Sequence, residues 1–267
     1  MKIKDMLSYF NLTAHPFTKE ISERELIMLP SFEKAFTTTQ LLVETRGIGL
    51  MVGQSGTGKS CVLRMLRNQL NPGLYKVLYL CHTSVGVLEF YTHLCASLGL
   101  VHSNRRAPMF RSIKEHILEL NRSDRIHPIF LIDEAHFLNN DILKELRLLT
   151  NFDIDSFNAL TILLCGQESL KNKLALSILE PLANSITISI KIKSLPREET
   201  FSYVEERIKR CGNSSHLFTK NALDLIHQSS RGVMRNINVI AHGALMKAFL
   251  VKTPQVEAEH VQSVIAR

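Results

Sequence analysis

The chain has 267 residues, of which 45% are apolar and 21% charged, and its formal net charge is +7. That length suits one α/β domain with a smaller appendage, and the apolar content permits a real core. No apolar run approaches the roughly 18 residues of a membrane span, and Met1-Lys2-Ile3-Lys4-Asp5 leads into no apolar stretch of a signal peptide. The expectation is a cytoplasmic protein with no membrane partner.

Residues 1–30 read as an irregular segment, with Pro16 and Pro30 as breakers and Tyr9, Phe10 and Phe17 to dock on a surface. Ser31 reads as an N-cap for a helix from Phe32 to about Thr45. Ile48 to Val52 is a short buried-strand run. It leads into Gly53-Gln54-Ser55-Gly56-Thr57-Gly58-Lys59-Ser60, which fits G-x-x-x-x-G-K-[ST] without a mismatch. Glycines let the backbone curl its N–H groups around a phosphate. Lys59 would set a charge against the β- and γ-phosphates, and Ser60 a hydroxyl on Mg²⁺. Cys61-Val62-Leu63-Arg64-Met65-Leu66-Arg67 has helical spacing, so a helix N-terminus faces the same phosphates. Strand, glycine-rich loop and helix together imply binding of a nucleoside triphosphate.

Asn71-Pro72-Gly73 is a turn, and Val77 to Leu80 reads as the next strand. A helix follows from Val85 to Leu98, with Gly99 as its stop. Arg105-Arg106 lies in a polar loop before a helix from about Met109 to Asn121. Arg105, Arg106, Arg111 and Lys114 form a basic cluster that reads either as a contact to nucleic-acid phosphates or as a solvated face. The net charge favours an anionic partner such as nucleic acid, or is a generic basic surface.

Ile129-Phe130-Leu131-Ile132-Asp133-Glu134 is an apolar strand ending in two carboxylates, the pattern of a Walker B element. Asp133 would hold Mg²⁺ through water and Glu134 would orient and polarise the attacking water. Asn139 and Asn140 cap a helix from about Asp141 to Phe152. Leu160 to Cys165 is a fourth strand, after which Gln167 is a γ-phosphate sensor or a plain helix cap. Ile186 to Ile192 alternates with Thr187, Ser189 and Lys191 as a fifth strand. From Pro196 the pattern is helical, at roughly 197–210, 219–229, 233–250 and 256–266. Arg235, opening the third of these, is a second sensor or one more surface arginine. The expected organisation is an irregular segment 1–30, a three-layer P-loop core with a parallel five-stranded sheet over 31–194, and an all-helical lid over 195–267.

The five cysteines form no C-x-x-C pair and no zinc spacing. Four read as buried small hydrophobes. Cys61 sits on the helix after the P-loop, where a thiol pKa can fall and where it would border bound nucleotide.

With these pieces in place the chain resembles the ExeA-like branch of the AAA+ ATPases. Tyr9-Phe10-Asn11-Leu12 with Pro16-Phe17 is similar to the family's opening signature. Asp133-Glu134-Ala135-His136-Phe137-Leu138 and Glu145 to Phe152 are similar to its central block, Gly166-Gln167 with Leu170 to its "GQxxL", and Gly232 with Arg235-Asn236-Ile237-Asn238 to its lid motif. The resemblance implies ATP and Mg²⁺ as cofactors, ATP hydrolysis, and a homo-oligomeric ring or filament. In that family, short forms without a span or extra domain resemble the TnsC, IstB and TniB regulators of transposition, which implies assembly on duplex DNA and recruitment of a transposase. The alternatives are a secretion-associated ATPase, a helicase-loader-type replication ATPase, and a nucleotide-gated scaffold with little hydrolysis. One position departs from the family: Asn184-Ser185-Ile186 stands where "QRI" is usual, so Ser185 occupies the arginine-finger place. The expectation is slow hydrolysis, or a substitute cation among Arg147, Lys171 and Lys173.

Overall fold

The computed structural model describes residues 3–18, 26–81, 85–213 and 215–266. It divides into two compact units. One comprises residues 34–54 and 59–192; the other comprises 1–33, 55–58 and 193–267.

The first unit holds a five-stranded parallel sheet. Its strands are β1 (Ile48–Gly53), β2 (Tyr75–Leu80), β3 (His127–Ile132), β4 (Thr161–Gly166) and β5 (Ile186–Ile192), in the order β2-β3-β4-β1-β5. Every residue of β1, β3 and β4 is buried, whereas β5 alternates and β2 is half-open. That division follows from position: the three inner strands are covered on both faces, so they read as unbroken apolar runs, and the two edges need not be. The layers between strands are α3 (Lys59–Gln69), α4 (Val87–Leu98), α5 (Arg106–Arg122), α6 (Asn140–Thr150), α7 (Glu168–Leu174) and α8 (Glu180–Asn184). This is the three-layer α/β core expected from the sequence. Gly99 closes α4 at φ 77°, in the left-handed region that glycine adopts without penalty. Asn139 caps α6 by accepting from the Ile142 N–H at 2.8 Å.

The second unit carries the helical lid: α9 (Arg197–Arg210), α10 (Lys220–Ser230), α11 (Met234–Leu250) and α12 (Ala258–Ile265). Residues 1–33 join this unit. Their segment, expected to be irregular, contains α1 (Ile3–Tyr9), with Met6 and Phe10 fully or nearly buried; residues 1, 2 and 19–25 of it lie outside the described residues. The helix expected from Phe32, α2 (Pro30–Thr45), starts two residues earlier. Ser31 is therefore helical rather than a cap, and its hydroxyl donates to Glu199 Oε1 at 2.8 Å. Proline is well suited to a first helical turn, where its missing N–H costs nothing. Among the described residues no helix is long and apolar enough to cross a membrane.

Candidate nucleotide site

The loop after β1 is built around its glycines. Gly56 and Gly58 stand at φ 82° and 100°, and a β-carbon at 58 would come within 2.7 Å of the Phe32 ring. At Gly56 a β-carbon would come within 2.7 Å of Arg235 Cβ, because the Arg235 N–H donates to the Gly56 carbonyl at 3.1 Å. Neither position accepts a side chain. Arg235 also reaches Ser55 Oγ with a guanidinium N–H at 3.1 Å. Lys59 is buried, and its ammonium donates to the carbonyls of Gly53 and Gln54 at 2.8 and 3.0 Å. Cys61 is half-buried in the first turn of α3.

The sheet order places the other half of the site. β4 lies between β1 and β3, so the ends of all three strands stand side by side at one sheet edge. Asp133, 3% exposed, follows β3 directly, and its N–H donates to the Leu80 carbonyl at 2.9 Å. Ser60 Oγ donates to Asp133 Oδ2 at 3.0 Å, closing a gap of 73 residues in sequence. Tyr79 OH donates to the same oxygen at 2.9 Å, and the Glu134 N–H donates to Oδ1 at 2.9 Å. Burial, then the neighbouring Asp133 carboxylate, push the Tyr79 phenol well up, so it stays a donor.

Glu134 adopts φ 52°, a left-handed conformation uncommon outside glycine. Its Oε2 accepts no hydrogen bond and lies 3.4 Å from His136 Nδ1. That nitrogen accepts the Gln167 N–H at 3.4 Å, which leaves the ring proton on Nε2. Burial lowers the His136 pKa, Glu134 opposes the shift, and Lys59 adds to it. Gln167 is the N-cap residue of α7, without a side-chain cap bond.

The loop and its partners fit a phosphate chain with a metal ion. The glycines leave room that a β-carbon would fill, and Lys59, next in the chain, is a buried cation. Ser60 and Asp133 are a hydroxyl–carboxylate pair of hard oxygens. Among the described residues no group of three or more His, Cys, Asp or Glu could hold a metal by itself. That is the donor set Mg²⁺ takes when it is shared with phosphates and water.

Residues 42–174 match the family model described as an AAA domain. The P-loop core carries an AAA domain. It is 30% identical over 244 residues, 90% of its length, to General secretion pathway protein A of Aeromonas hydrophila, and spans 44% of the length of that relative. Among solved structures it is similar to Cdc6p from Pyrobaculum aerophilum, with a TM-score of 0.72 and 17% identity over 93% of this chain and 69% of that one. It is also similar to the ORC1 protein of Aeropyrum pernix in complex with DNA, with a TM-score of 0.67 and 16% identity over 94% and 68%. At these identities the structural likeness is one of fold.

Several cations expected to be available are engaged. Arg106 opens α5 rather than lying in a loop, and it pairs with Glu145, which also accepts from Tyr91 OH at 2.8 Å. Lys114 donates to the Asn151 carbonyl and lies over the Phe110 and Phe152 rings. Of the four-residue basic cluster, Arg105 and Arg111 are exposed and make no ion pair among the described residues. Arg147 is bound through both terminal nitrogens to Asp155, at 3.3 and 2.7 Å, and Lys173 donates to the His136 and Leu138 carbonyls, both at 2.8 Å. Ser185 Oγ turns back to the Leu182 carbonyl at 2.7 Å. Lys171 remains exposed. Sequence reasoning missed Tyr79 and the contact of the Gln167 N–H with His136. Tyr79 carried one signal, an aromatic with a polar tip next to the end of a strand.

Proposed function

We propose that the chain binds Mg·ATP and hydrolyses it, and uses the nucleotide cycle to regulate a partner assembly as a homo-oligomer. The observation that carries this reading is the Ser60–Asp133 contact at 3.0 Å, which joins the P-loop end to the carboxylate after β3. Lys59 neutralises phosphate charge. Ser60 and Asp133 would hold the ion, which when bound would screen the phosphate oxygens. Glu134, with an oxygen free of hydrogen-bond donors, takes the proton of the attacking water. Gln167, whose N–H donates to His136, and Arg235, tied to the loop at Ser55 and Gly56, report the γ-phosphate.

For the partner, the 30% identity to a general secretion pathway protein favours a secretion-associated role. A second reading, an ATPase that acts on duplex DNA, is supported by the net charge of +7 and by the fold shared with the Aeropyrum pernix ORC1 protein in complex with DNA. Recruitment of a transposase rests on the sequence resemblance alone, and none of the relatives named above points to it.

The test is equilibrium binding of a fluorescent ATP analogue with Mg²⁺, followed by duplex DNA anisotropy across a salt series in each nucleotide state. The expected result is tight binding that Lys59→Ala weakens at least about 100-fold. ATP-dependent, salt-sensitive DNA binding would move the partner from the secretion apparatus to DNA. Equal binding by wild type and Lys59→Ala would overturn the nucleotide reading.

A further inference from the structure

Asp133 is held by more than the nucleotide machinery. Its Oδ2 accepts two hydroxyl protons, from Ser60 at 3.0 Å and from Tyr79 at 2.9 Å. Ser60 belongs to the P-loop. Tyr79 belongs to neither the P-loop nor β3: it lies on β2, where it pairs with Leu131 in the β2–β3 register. The next residue on the same strand, Leu80, accepts the Asp133 N–H at 2.9 Å. Adjacent residues of β2 thus hold both the main chain and the side chain of Asp133.

Packing does not account for the placement of this tyrosine. Tyr79 is 46% exposed and lines an open recess with Cys81, Phe90 and His93. A half-exposed phenol is ordinarily left to solvent, yet this one turns its hydroxyl inward to a carboxylate that is 3% exposed. A carboxylate with one donor on an oxygen can still rotate about its terminal bond. The Glu134 N–H on Oδ1 at 2.9 Å is a second donor, but like Asp133 it follows β3; Tyr79 adds a third from a different strand, which holds Oδ2 and the direction of its remaining lone pair when Ser60 turns to the ion.

We propose that Tyr79 is a positioning residue for the metal ion, fixing the Asp133 carboxylate from the neighbouring strand. The assignment rests on the reading of Ser60 and Asp133 as the metal-holding pair. Partners of this kind, one step removed from a metal, typically account for about 10- to 100-fold in metal affinity.

The experiment is Mn²⁺ binding to the full chain, followed by electron paramagnetic resonance, with a non-hydrolysable ATP analogue present. It compares wild type, Tyr79→Phe and Asp133→Asn, and measures affinity for the analogue without metal in parallel. Tyr79→Phe keeps the ring and removes only the hydroxyl. The expected result is Mn²⁺ affinity about 10-fold weaker in Tyr79→Phe, with metal-free analogue affinity unchanged. Wild-type Mn²⁺ affinity in Tyr79→Phe beside a loss in Asp133→Asn would overturn the role of Tyr79 and leave the metal pair standing. Loss of metal-free analogue binding in Tyr79→Phe would also overturn it, by showing that the hydroxyl serves the fold. Absence of nucleotide-dependent Mn²⁺ binding in the wild type would overturn the metal pair and the Tyr79 assignment together.

Discussion

The carbonyl oxygen of Leu195 stands inside contact distance of the point that a β-carbon on Gly232 would occupy. The approach is held by the Leu195 N–H, which donates to the Gly232 carbonyl at 2.8 Å. Gly232 also sits at φ 71°, next to Arg231 at φ 53°. A methyl group here meets backbone, which cannot rotate away, in a conformation that L residues adopt at a cost. Gly232→Ala is therefore expected to destabilise the lid unit by at least about 2 kcal/mol. Urea unfolding checks it: a midpoint equal to that of wild type would contradict the contact.

Arg147 tests the idea of a substitute arginine finger. Its guanidinium holds the Asp155 carboxyl below its ordinary pKa and is committed to it by two hydrogen bonds. Asp153, Ile154 and Asp155 all have positive φ, and Arg122 binds Asp153 at 2.9 Å on the other side. Three consecutive left-handed residues cost roughly 1–3 kcal/mol each, so this turn depends on its clamps. Arg147→Ala should leave ATP turnover unchanged and speed proteolytic cleavage near residue 154 several-fold, roughly as a loss of local ordering predicts. A large fall in turnover, with the loop as protease-resistant as before, would restore Arg147 as a finger.

His127 sets a pH dependence on stability. It is 4% exposed at the start of β3, its Nε2 lies 2.8 Å from Thr161 Oγ1 and its Nδ1 3.2 Å from Asn121 Oδ1. Burial, with Arg46 nearby, pushes its pKa down to about 4, from an ordinary value of 6.5. The unfolded chain takes the proton more readily, so acid favours unfolding. The contribution is complete above about pH 6.5 and is lost as pH falls toward about 4, by up to about 3 kcal/mol. His127→Gln should lose less stability than wild type over that window. Parallel losses in the two proteins, measured by urea midpoints at pH 7 and pH 4.5, would contradict the assignment.

Much of the core was legible because periodicity and motif spacing are local properties. Inner strands buried on both faces must be apolar throughout, as Ile129 to Ile132 and Ile162 to Cys165 are, and the alternation from Ile186 marks an edge. The P-loop glycines and the two carboxylates after β3 announce their own chemistry. Helix α1 was hidden because seven residues, Ile3–Tyr9, carry too few turns for a periodic signal, and tertiary burial of Met6 supplies what propensity does not. The ties of Arg106, Lys114 and Arg147 were hidden for a different reason. Each is to a partner 8 to 39 positions away, Asp155 for Arg147, Asn151 for Lys114 and Glu145 for Arg106, and sequence shows a cation without its partner. The Tyr79–Asp133 bond spans 54 residues and depends on the β2–β3 register, which no local pattern states.

The most direct test of the account is ATP turnover and ATP retention by wild type and Glu134→Gln. The substitution keeps shape and removes the base, while Lys59, Ser60 and Asp133 remain. The account predicts that Glu134→Gln binds ATP as wild type does, hydrolyses it at least about 100-fold more slowly, and keeps it bound as the triphosphate. Turnover by Glu134→Gln at the wild-type rate would contradict the assignment of Glu134 as the base, and with it the proposed hydrolytic site.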